Sequence, residues 1–100
     1  MFPKAEEART ISEKARSKRK ESIMSKFQRD ARYRTRLAMF AGKNKVSYEV
    51  EDLEKYEVAI LEEALQVFVN NGYNVTMTPN QYLNDGTWDV EVIISWGKEK

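Results

Sequence analysis

The chain has 100 residues, 33% of them charged and 41% hydrophobic, and a formal net charge of +1. It contains neither Cys nor His, which excludes a disulfide framework, a thiolate nucleophile, a Cys-type metal site and an imidazole base. A chain of this length makes one small domain, residues 1–100, with a modest core.

Residues 4–41 read as one long helix. They hold no Gly or Pro and are rich in Ala, Arg, Lys and Glu. Pro3, Glu6 and Glu7 suit the start, and Gly42 suits the stop. At about 1.5 Å per residue the helix is roughly 57 Å long, more than a compact 100-residue body spans, so it should project or pack on a second copy. Its apolar stripe is firm only at Ile23, Phe27, Ala31, Ala38 and Ala41, and thins upstream to Ala5, Ala8, Ile11 and Ala15.

Residues 46–50 alternate apolar and polar and read as a short strand. Residues 52–71 read as a second helix, with Asp52 as a possible cap and Gly72 as its stop. Its apolar arc holds Leu53, Tyr56, Ile60, Leu61, Ala64, Leu65, Val67 and Phe68. Residues 73–78 and 88–96 alternate as two further strands, joined by a long hairpin loop over 79–87 that carries Tyr82 and Leu83. All three strands place their apolar residues on one face, with Ile93 the exception. The longest, last strand belongs in the centre. The expected fold is therefore α+β, a long N-terminal helix over 1–45 and a two-layer β-α-β-β body over 46–100. The body is a three-stranded sheet of order 1-3-2 with a helix on one face.

The small net charge hides an asymmetry. Residues 1–45 carry 14 Lys and Arg against 5 Asp and Glu; residues 46–100 carry 3 against 11. Either the halves neutralise each other, within the chain or between subunits, or the basic half meets an anionic partner.

The densest run of arginines is Arg29, Arg32, Arg34 and Arg36, followed by Lys43 and Lys45. Tyr33 lies beside it, and arginine next to an aromatic ring suits phosphates and stacked bases. Tyr82, in the hairpin loop, is a second stacking candidate. Arg34 falls inside the apolar stripe and Glu57 inside the apolar arc of the second helix. Each needs a partner if buried, so an Arg34–Glu57 pair is expected, within the chain or between subunits. Trp88 and Trp96 stand in register with Val90, Val92 and Ile94 and read as core. Asp89 and Glu91 share a strand face, but a lone carboxylate pair is weak ground for a metal site. No nucleotide-binding loop, nucleophile elbow or other enzyme motif is present, so the chain reads as a binding protein that is not an enzyme and uses no cofactor. No apolar run approaches the roughly 20 residues of a membrane span. The charged stretch from Met1 to Lys20 lacks the apolar core of a secretory signal, and together these suggest a cytoplasmic protein.

Three short motifs carry a resemblance: Ala8-Arg9-Thr10-Ile11-Ser12 in the basic helix, Gly72-Tyr73-Asn74-Val75 after the second helix, and the terminal Ile94-Ser95-Trp96. With the layout around them, they resemble small accessory proteins of tailed phages and prophages. The resemblance implies a protein of the host-cell cytoplasm that antagonises a host process by capping a host protein, coating nucleic acid or sequestering a nucleotide signal. The leading expectation is an oligomeric sponge for a cyclic-nucleotide immune signal, held by arginines and aromatics. The alternatives are nucleic-acid binding through the basic helix and direct inhibition of a host protein.

Overall fold

The computed structural model describes residues 4–81 and 85–97. Its elements are α1 (Ala5–Phe40), β1 (Lys45–Leu53), α2 (Lys55–Asn70), β2 (Asn74–Gln81) and β3 (Trp88–Ser95). The sheet runs β1-β3-β2 with both pairs antiparallel, as the strand patterns predict. β3 is central because Val90, Val92 and Ile94 are all fully buried, while β1 and β2 bury one flank each.

Both helices end in the same way. Gly42 (φ 77°) follows α1, and Gly72 (φ 89°) follows α2. Each left-handed glycine lets the chain fold back on the last turn. The Gly42 N–H donates to Met39 O at 3.0 Å and the Lys43 N–H to Ala38 O at 2.9 Å. After α2, the Gly72 N–H donates to Val69 O at 3.1 Å and the Tyr73 N–H to Phe68 O at 3.0 Å. These paired bonds satisfy carbonyls that a helix end leaves open, and they need a residue that tolerates positive φ.

α2 and the second half of α1 lie on the apolar sheet face. Phe27, Ala31, Leu53, Ile60, Leu61, Ala64, Leu65 and Phe68 close the core against Tyr48, Val90, Val92 and Ile94. The Gln28 side chain donates to Ala64 O at 3.3 Å, and Lys20 Nζ lies 3.0 Å from the Glu63 carboxylate. Together they tie α1 to α2. Residues 4–22 are exposed throughout, so the first half of α1 leaves the body. The molecule is 65 Å long with a radius of gyration of 17.2 Å, against about 13 Å for a compact chain of this size.

Several boundaries differ from the sequence reading. β1 runs on past Val50 to Leu53 through a register shift, with Asp52 at φ 56°. The Asp52 N–H donates to Asp89 Oδ1 at 3.1 Å, so Asp52 shapes a bulge rather than capping α2. Glu54 takes the cap position, and its N–H donates to Glu57 Oε1 at 3.1 Å. Pro79, Asn80 and Gln81 belong to β2, which shortens the hairpin loop. A proline is admitted there because β2 is an edge strand. Tyr56 and Leu37 are exposed, and Thr35 is buried instead. Trp88 and Trp96 pack against the core cluster, and Trp96 meets Tyr73 edge to face at 6.1 Å.

Candidate functional site

The site starts from one unbroken stretch of α1. Arg29, Arg32 and Arg36 are all exposed. At about 100° per residue they fall within a sector of roughly 60°. Tyr33, 63% exposed, and Phe40, 83% exposed, border it. Phe27, Ala31, Thr35 and Ala38 point the opposite way, into the core. Burial of that inner stripe is what turns the arginines to solvent. Among the described residues, none of the three guanidinium groups forms a salt bridge. Like charges at this spacing cost a helix a few tenths of a kcal/mol per pair, and no salt bridge among the described residues offsets that cost.

Arg34 does not belong to this face. It donates through Nε to both carboxylate oxygens of Asp30, at 3.1 Å each, and its guanidinium lies 4.6 Å from the centroid of the Tyr48 ring. Within the chain, the expected Arg34–Glu57 pair does not form. Arg34 takes Asp30, one turn back on its own helix, and Glu57 takes the backbone at the start of α2. Both partners are local, so neither contact requires a long loop to be ordered. Nor is Arg34 buried: its side chain is 43% exposed, with the apolar stem along the helix and the charge at the surface.

Lys43 and Lys45 lie beyond the end of α1. With Arg34, Leu37 and Val46 they line an open groove of about 750 Å³ between α1 and β1. A second groove of about 660 Å³ continues along the same seam, lined by Arg29, Tyr33, Val50 and Glu57 among others. The predicted cluster is therefore split between an outward helix face with Arg32 and Arg36, a groove with Lys43, Lys45 and the engaged Arg34, and Arg29, which stands on the outward face and also lines the second groove. Tyr82 lies outside the described residues. Asp89 is taken up by the β1 bulge, and the described residues contain no group of three or more carboxylates that could hold a metal.

Tyr48, beneath Arg34, is only 7% exposed, and its hydroxyl makes no hydrogen bond among the described residues. Burial pushes its pKa up to about 12, the nearby Asp30 charge adds to this, and Arg34 opposes it. The folded state thus favours the protonated phenol. That contribution to stability is complete below the ordinary pKa of 10 and is lost as pH rises toward 12. Tyr48→Phe should therefore be neutral or up to about 1 kcal/mol stabilising near pH 7, since it removes an unpaired buried hydroxyl and keeps the ring under Arg34. Denaturant melts from pH 8 to 12 should show the native chain losing stability above pH 10 more steeply than this variant. Parallel curves would exclude Tyr48 as the cause.

Family models, curated proteins and solved structures gave no match to this chain.

Proposed function

We propose that this protein binds a nucleic-acid backbone along the outer face of α1. The observation that carries the reading is the row of Arg29, Arg32 and Arg36, exposed, without a salt bridge among the described residues and flanked by Tyr33 and Phe40. A convex helix face cannot enclose a small ligand, but it suits a polymer of phosphates. The aromatics offer stacking surface for unpaired bases. A role in coating nucleic acid is among those implied by the likeness to phage accessory proteins. The reading involves no catalysis and no cofactor.

The groove at the end of α1 favours a second reading, capture of a small cyclic nucleotide by Lys43, Lys45 and Arg34. Arg34 would first have to leave Asp30.

Fluorescence anisotropy with a labelled single strand and a labelled duplex tests the first reading. Three phosphate contacts give a slope of about −2.7 in log K against log salt on duplex. That is a loss of about fortyfold between roughly 50 and 200 mM salt. Absence of salt-sensitive binding to either probe rejects it. Calorimetry with cyclic dinucleotides in the same buffers tests the second.

A further inference from the structure

β1 is an edge strand, and its outer side is unpaired among the described residues. The Trp96 N–H donates to Asn44 O at 3.0 Å. By antiparallel alternation, Val46, Tyr48 and Val50 then bond to β3, and the backbone groups of Lys45, Ser47 and Glu49 point away from it. The other edge differs. Pro79 of β2 stands opposite Val90, and the same alternation puts its nitrogen on the outer side. That edge lacks a donor and is blunted. β1 carries no proline, and its bulge lies beyond Val50, at the far end of the strand.

We propose that β1 pairs antiparallel with β1 of a second copy, about a two-fold axis at Tyr48, to make one six-stranded sheet. The sequence of the strand is self-complementary in that register. Val46 meets Val50, Tyr48 meets Tyr48, Ser47 meets Glu49, and Lys45 meets Glu51, each pair occurring twice or on the axis. The apolar residues of both copies stay on one face. A slip by one residue would place them against polar ones. A second observation lies above the same edge. Leu37 shares one groove with Val46 and Ser47, and Tyr33 shares the other with Val50 and Glu51. Both side chains are exposed. In the dimer, these two grooves receive the neighbouring strand and helix, which accounts for apolar residues left uncovered on the flank of α1. An isologous contact of this kind closes on itself and leaves no further free copy of that edge.

The dimer shares Arg29 and Tyr33 with the proposed nucleic-acid face, since both line the groove it fills. It leaves Arg32 and Arg36 at the surface, and it fills the seam that a small nucleotide would need. Sedimentation velocity on the full chain, without nucleic acid, should show a dimer at tens of micromolar. Lys45→Glu sets like charges opposite Glu51 twice per dimer and should weaken association about tenfold, and Glu51→Lys should do the same. The double variant K45E/E51K restores opposite charges and should return to within about threefold of the native dimer. Ser47→Pro removes an outward N–H and no bond to β3, so it should give a folded monomer. A monomeric native chain overturns the proposal. So does a dimer indifferent to Lys45→Glu, or a double variant no better than the single ones. If Ser47→Pro does not fold, the charge exchange decides alone. None of these readouts involves a ligand, so the dimer and the nucleic-acid reading stand or fall separately.

Discussion

Leu61→Ala is expected to cost about 3 kcal/mol and to lower the melting temperature by about 10–25 °C. Leu61 has no solvent exposure and lies where α2 meets the sheet, among Leu65, Val90 and Val92, which are equally buried. Truncation removes three buried carbons and leaves a cavity that the two layers cannot close without moving a helix. A domain of this size holds roughly 5–15 kcal/mol in all, so the loss is a large share of the total. Thermal melting followed by circular dichroism at 222 nm measures it. Ile11→Ala is the matched control. Ile11 is exposed on the projecting half of α1, so its removal should leave the midpoint within about 4 °C in the monomer. Equal losses from both variants would mean that the projecting half is part of the cooperative core.

The fold could be read from periodicity because both helices stop at glycines and all strands alternate. The pairs Gly42–Lys43 and Gly72–Tyr73 mark turns that the backbone then makes in full. The order β1-β3-β2 followed from the length of the last strand and the buried run Val90, Val92, Ile94. The errors arose where polarity misled. Thr35 reads as polar, yet its methyl group suits the inner stripe of α1 and it is 3% exposed. Pro79 reads as a breaker, yet an edge strand tolerates a residue without an N–H. Asp52 reads as a helix cap, yet the chain needed a left-handed residue for a bulge first, and the cap moved to Glu54.

The site was harder to read because sequence position shows which residues share a helix face but not which of them already have partners. Arg29, Arg32 and Arg36 were placed on one face correctly. Arg34 and Glu57 suggest each other as partners because both stand out among apolar residues. Each had a closer partner, Asp30 one turn back and the Glu54 N–H three residues back. Asp30 was the missed signal, since an acid four residues before an arginine is a common helical pair. Lys20 and Glu63, which bridge α1 and α2, are distant in sequence and carry no local mark. Their contact shows that part of the charge asymmetry is settled within the chain. The arginines that remain unpaired among the described residues are therefore the informative ones.

The triple variant R29A/R32A/R36A should lose nucleic-acid binding by about a hundredfold at low salt and bring the salt slope close to zero. The three side chains are exposed and outside the core, so the fold should be unaffected. Relief of like-charge repulsion should even raise stability by a few tenths of a kcal/mol. Arg34→Ala should behave in the opposite way. Arg34 is held by Asp30 and covers Tyr48, so its loss exposes the ring, leaves Asp30 alone and lowers stability by about 1 kcal/mol. It should change affinity less than threefold, because its charge is already engaged. Anisotropy titrations at two salt concentrations, run beside thermal melts of the same samples, separate the two variants. If Arg34→Ala weakens binding as strongly as the triple variant, the ligand lies in the α1–β1 groove with Lys43 and Lys45. If neither variant changes it, the face of Arg29, Arg32 and Arg36 contributes no phosphate contact, and the proposed site is wrong.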